Sequence, residues 1–252
     1  MKISRDNLTA YLHDYLNVDN FNDYCPNGLQ FEGKSKINTI ITGVSASVDL
    51  FEQAIKKKAD AIIVHHGLIW NFDRPVYKGG YKQRVKLLME HDINLYGFHL
   101  PLDAHEKVGN NAVIANTLGL KKIVPFGEYK GQFIGMRGEL DSINADAFFE
   151  LIRSKINNDL IVFAFGPDTI KNVGIISGGA QKEVNQAVTE GLDVYLTGEV
   201  SEHILHYVKE EGIHFIAAGH HATERFGIQA LGSHLKKQFD VQVEYIEIPN
   251  PI

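Results

Sequence analysis

The 252-residue chain predicts an α/β fold of two similar α/β lobes, each built on a mostly parallel sheet. Fully apolar runs of strand length alternate with amphipathic stretches of helix length, the pattern of parallel strands covered on both faces and joined by right-handed crossovers. That alternation occurs twice. Histidines and carboxylates gather just past the apolar runs, at the strand ends where open parallel sheets bind their ligands.

Residues 4 to 16 suit a first helix, with Ser4 or Asp6 as its cap. The stretch Tyr24-Cys25-Pro26-Asn27-Gly28-Leu29 reads as a surface turn, because Pro and Asn-Gly are turn formers. An apolar run over 37–44 then passes through Ser45-Ala46-Ser47 into a helix reaching 58, and a second strand over 61–64 ends in His65-His66-Gly67. A helix over 82–90 leads to a third strand over 93–98, which ends in His99-Leu100-Pro101-Leu102-Asp103. A helix over 110–118 follows.

The pattern returns with a strand over 173–177, the turn Gly178-Gly179-Ala180, a helix over 182–190 and a strand over 193–196 ending in Thr197-Gly198-Glu199. A helix over 201–210 and a strand over 213–218 run into Gly219-His220-His221, with Glu224 four residues beyond His220. Aligning Asp60 with Asp193 sets His65-His66 opposite Gly198-Glu199, and the last strand of each lobe sets His99 and Asp103 opposite His220 and Glu224. Residues 121 to 170 carry strands over 132–140 and 160–165 and a helix over 145–156, and read as a short insert or as strands of the second lobe. The expected division is a first lobe over 1–120, a connecting segment over 121–170 and a second lobe over 171–252, with a last strand over 241–248.

Composition narrows the function classes. Lys plus Arg number 25 against 31 Asp plus Glu, a formal charge of −6, so nucleic-acid binding is unsupported. The single cysteine, Cys25, excludes an intramolecular disulfide and a cysteine-based zinc site, and fits a reducing compartment such as the cytoplasm. No apolar leader or membrane-length run is present, so the expectation is a cytoplasmic protein with no membrane partner.

A histidine pair at one strand end and two His-x-x-x-carboxylate clusters at others make a metal-ligand pattern. His, Asp and Glu without Cys suit Zn, Fe, Mn, Co or Ni and do not select among them. Two ions bridged by one carboxylate would take about three protein ligands each, leaving water or hydroxide as the candidate nucleophile.

The motifs VHHGLIW at 64–70, GFHLPLDAH at 97–105, TGEVSEH at 197–203 and GHHATE at 219–224 resemble the Nif-three-like proteins, known as GTP cyclohydrolase I type 2 homologues. The resemblance runs from PNGLQ at 26–30 to IPNP at 248–251 and is to the short form of the family. It implies two divalent ions per chain between the lobes, ligated by His65, His66, Asp103, His220 and Glu224, with Glu224 bridging. It also implies a ring-shaped homohexamer. His99, Glu199 and Ser201 are expected to orient ligands or trade protons, with His99 or Glu199 as the catalytic proton carrier; His221 is expected to be a neighbour outside the shell.

The leading functional expectation is a divalent-metal-dependent hydrolase acting on a nucleotide or related small molecule. For cyclohydrolase chemistry, hydroxide would attack purine C8, open the imidazole ring and release formate. A dinuclear phosphoesterase is one alternative, although no phosphate-cradling P-loop is present and Gly178-Gly179 is only a weak glycine pair. A non-enzymatic metal-binding assembly or regulatory protein is the other.

Overall fold

The computed structural model describes residues 2–74 and 76–252. It contains two compact units: Met1–Leu102 with Ile228–Pro249, and Asp103–Gly227 with Asn250–Ile252.

The first unit begins with β1 (Ile3–Ser4) and α1 (Arg5–Tyr15), capped by Ser4, whose hydroxyl accepts from the Asn7 amide at 3.1 Å. It continues through β2 (Gly28–Phe31), β3 (Lys36–Ile37), β4 (Thr39–Ser45), α2 (Val48–Lys56), β5 (Ala61–His66), α3 (Gly79–His91) and β6 (Asn94–Gly97). α2 starts where Ser47 caps the Leu50 amide at 3.2 Å. Ile41, Phe51, Ala54, Ile62, Val64, Leu88 and Leu95 form one buried cluster, as unbroken apolar strands under amphipathic helices require.

After the short α4 (Leu100–Ala104), the second unit runs through α5 (Asn110–Thr117), β7 (Lys121–Tyr129), β8 (Gln132–Asn144), α6 (Ala145–Lys155), β9 (Ile161–Ala164), β10 (Thr169–Ile175), α7 (Val184–Thr189), β11 (Val194–Thr197), α8 (Ile204–Glu211) and β12 (His214–Ala217). Last come α9 (His220–Gln238) and β13 (Gln242–Tyr245). In the first unit the sheet order is β13-β4-β5-β6-β2, parallel except for the β2–β6 pair. In the second it is β7-β8-β10-β11-β12-β9, a parallel core of β10, β11 and β12 with antiparallel strands on both sides.

The similarity of the two units lies in their backbone hydrogen bonds. Ahead of β5, the Asp60 carboxylate accepts from the Asn38 and Thr39 amides at 2.9 and 3.1 Å, fastening the start of β4. Ahead of β11, the Asp193 carboxylate accepts from the Lys171 and Asn172 amides at 2.9 and 2.7 Å, and does the same for β10. The carbonyls of Asp60 and Asp193 then accept from Asn94 and His214, each at 3.1 Å, to register the third strand. One aspartate therefore sets three strands in each unit.

Three expectations change. The segment 121–170 is no connector: β7, β8 and β9 are strands of the second sheet, and Phe148, Phe149 and Ile152 of α6 belong to its core. β7 and β8 form one hairpin because Lys130 and Gly131 both take positive φ, the geometry of a tight two-residue turn. Residues 171–252 are not one lobe, since β13 pairs in parallel with β4; a four-residue strand of half-exposed side chains carries no sign of which sheet it joins. Finally, the Phe98 amide bonds the Val64 carbonyl and the Ala218 amide bonds the Thr197 carbonyl, which places His99 opposite Gly219 and His220 opposite Leu100, one residue from the sequence alignment.

Burial opposes ionisation of Asp60, but Lys34 at 2.9 Å and the two amides outweigh it and hold the carboxyl below its usual range. Asp60→Ala removes a charged acceptor from two amides and is expected to cost about 2 kcal/mol in urea unfolding. Because the folded value is depressed, the charge-dependent part of that loss is full above about pH 4 and disappears as the pH falls through the folded value.

Candidate metal centre

In the first unit, β5 delivers His65 and His66 at its carboxyl end, and the chain after β6 delivers His99. One ligand atom from each of the three lies within 4.8 Å of the others. His65 is fully buried, and its Nδ1 lies 2.8 Å from the Phe98 carbonyl oxygen. A carbonyl can only accept, so Nδ1 carries the proton and Nε2 carries the lone pair, the tautomer a metal needs. His66 Nδ1 lies 3.0 Å from the Ser45 hydroxyl.

His99 Nδ1 donates to Asp23 at 2.8 Å, and the Asp23 side chain is 1% exposed. Asp23 also accepts from the Asn27 side chain and the Leu100 amide, each at 2.9 Å, while the His99 amide donates to Asn27 Oδ1 at 2.7 Å. Burial would raise the Asp23 carboxyl, but the His99 and amide bonds hold it below its usual range. Asn27, in the 24–29 stretch expected to be a surface turn, thus helps Asp23 to aim His99. Burial, then the Asp23 charge, pushes the Cys25 thiol up to about 12, so Cys25 is a neutral core residue.

In the second unit, Asp103 is buried and its Oδ1 accepts from Asn110 Nδ2 at 2.8 Å and Ser177 Oγ at 2.9 Å. His220 stands between two carboxylates, with Nδ1 2.6 Å from Glu199 Oε1 and Nε2 3.0 Å from Glu224 Oε2. The i, i+4 relation expected for His220 and Glu224 holds because α9 starts at His220 itself. Burial disfavours the charged imidazole, yet the Glu224 and Glu199 contacts raise His220 to about 9.

Two glycines make this end of the sheet possible. A Cβ at Gly178, which has φ +67°, would lie 2.2 Å from Glu224 Oε1 and 3.3 Å from His220 Nε2. A Cβ at Gly198 would lie 2.7 Å from both the Gly178 carbonyl and the His220 backbone. Gly178 therefore belongs to the carboxylate's cradle rather than to a phosphate loop.

Ser201 and several other histidines have other partners. His221 is buried, with its amide on the Ile252 carbonyl at 2.8 Å; Ser201 accepts from Gln181 at 3.1 Å. His203 precedes α8 and His206 lies exposed on it. His214 ties Gly166 and Pro167 to β12. Sequence reasoning missed Asp23, Asn27, Asn110, Ser177 and Gly178. Only Gly178 and the Pro-Asn-Gly turn carried a local signal, because the others act through partners far away in the chain.

No helix among the described residues is long and apolar enough to cross a membrane. The sequence profile of the Duf34/NIF3 family, NGG1p interacting factor 3, matches residues 3–251. A Haemophilus influenzae protein named GTP cyclohydrolase 1 type 2 homolog is 45% identical over 246 residues, covering 97% of this chain and 98% of that protein. The solved structure titled protein ybgI, of unknown function, superposes with TM-score 0.94 at 40% identity, covering 99% of this chain and all of that one. That of TTHA1606 from Thermus thermophilus gives TM-score 0.92 at 33% identity, with 99% and 100% coverage. With its whole length matched by profile, sequence and fold, the chain belongs to the Duf34/NIF3 family.

Proposed function

We propose that the two clusters are the halves of one dinuclear centre, and that the protein is a divalent-metal-dependent hydrolase of a nucleotide or related small molecule. The observation that carries this reading is Glu224: a carboxylate only 3% exposed, held against His220 by a backbone that must be glycine. Buried carboxylates with oriented imidazoles are a donor set for borderline divalent ions, and metal ligands retain such burial because the ion supplies the compensating charge. His65, His66, Asp103, His220 and Glu224 would hold two ions, Glu224 bridging.

Bound ions would supply an acidified water and polarise the group under attack. The chain's own residues do the rest. Phe98 fixes the tautomer of His65, Glu199 orients His220, and Ser177 with Asn110 fixes one oxygen of Asp103. Asp23 aims His99, which would carry a proton to or from the substrate. Glu199, occupied on His220, serves orientation first. The cyclohydrolase name of the relatives directs the substrate screen to GTP. The homohexameric ring belongs to the same proposal and is read by light scattering.

Metal-replete wild type should carry about two ions per chain, and less than about one contradicts the dinuclear reading. Gly178→Ala should lose metal by displacing Glu224, while Glu199→Ala should weaken affinity by about ten- to hundred-fold by freeing the His220 ring. In a GTP hydrolysis assay, Glu224→Ala and His65→Ala should each lose at least about a hundred-fold in rate. Turnover by both variants at the wild-type rate would assign the activity to a contaminant and contradict the hydrolase reading.

A further inference from the structure

We propose that Trp70 and Phe72, in the first unit, form a stacking surface for the planar heteroaromatic ring of a ligand. Phe72 is 72% exposed, and it lies on Trp70 with ring centroids 5.6 Å apart and planes inclined by 22°. Trp70 in turn meets His99 edge to face at 5.3 Å and lies 6.0 Å from the His66 ring. A ladder of rings thus runs from solvent to the histidine cluster.

The ladder is held in advance. Trp70 Nε1 donates to the Gly67 carbonyl at 3.2 Å, and Gln30 Oε1 accepts from the Leu68 and Ile69 amides at 2.7 and 3.2 Å. Gln30 Nε2 is tied to the Pro26 carbonyl at 2.8 Å, and the Asn71 amide to the Tyr24 carbonyl at 2.8 Å. A Cβ at Gly67 would collide with Gln30. The backbone on either side of Trp70 is therefore fixed, while the outer face of Phe72 is open to water. A planar ring gains stacking on such a surface without ordering it, and the polar edges of a heterocycle suit the neighbouring imidazoles better than an aliphatic group does. The inference rests on the dinuclear reading only for where the reacting atoms lie.

Trp70 is the protein's sole tryptophan, so its emission reports on this surface alone. Guanosine and adenosine, which carry rings and no phosphate, are titrated against metal-loaded and metal-stripped full-length protein, with ribose and tripolyphosphate as ringless probes. Saturable quenching by both nucleosides and none by the ringless probes is expected. Phe72→Ala should raise the half-saturating concentration by about five-fold or more, and Phe72→Tyr should restore it. Unchanged emission with nucleosides, equal quenching by ringless probes, or wild-type binding by Phe72→Ala overturns the proposal. A change of oligomeric state in Phe72→Ala, read by light scattering, also overturns it by assigning the ring to contacts between copies. Ion content measured on the metal-replete sample separates the two readings: quenching by metal-replete protein that holds less than about one ion per chain sinks the dinuclear centre alone, and bound metal without quenching sinks the stacking surface alone.

Discussion

A carboxylate withdrawn from water must be met by positive charge or by hydrogen bonds, and in the second unit His220 meets part of that demand for Glu224. The rest of that sheet end is arranged around the pair. The turn after β10 needs a glycine at 178, because its φ is +67° and a Cβ there would occupy the carboxylate's place. β11 must be followed by Gly198, so that the chain entering α9 can pass close to the Gly178 carbonyl. Glu199 then reaches the far nitrogen of His220 and fixes the ring from behind. The result is a donor pair with little rotational freedom, as a metal site needs.

The two units share a frame and differ in what they hang on it. Equivalent aspartates, Asp60 and Asp193, lock equivalent strands. Where the first unit has Ser45 paired with His66, the second has Gly178 and Glu199 at the corresponding positions. The first unit therefore gathers imidazoles and the second gathers carboxylates with one imidazole. A shared backbone frame with unlike side chains at the strand ends explains why no single motif repeats in the sequence.

Much of this was legible in the residues. Apolar strands such as Ala61 to Val64 can hardly be anything but buried parallel strands, and Asp60 aligned with Asp193 without help from structure. The His220–Glu224 relation followed from helical spacing. What escaped the sequence depends on contacts distant in the chain: Asp23 reaches His99, Ser177 reaches Asp103, and β13 joins β4. The long β7–β8 hairpin escaped because its lysine-rich first strand is largely exposed and lacks a clean alternation. The one-residue slip at His99 arose because both strand ends are followed by a polar residue at a similar distance, and only hydrogen-bond register distinguishes them.

The central proposal is that His65, His66, Asp103, His220 and Glu224 hold two divalent ions. Anomalous diffraction from crystals of the metal-loaded protein tests it most directly. The account predicts two anomalous peaks per chain, each in contact with the Glu224 carboxylate, with His65, His66, Asp103 and His220 completing the shells. Peaks confined to the residues of one unit, or a well-ordered Glu224 touching neither ion, would contradict it.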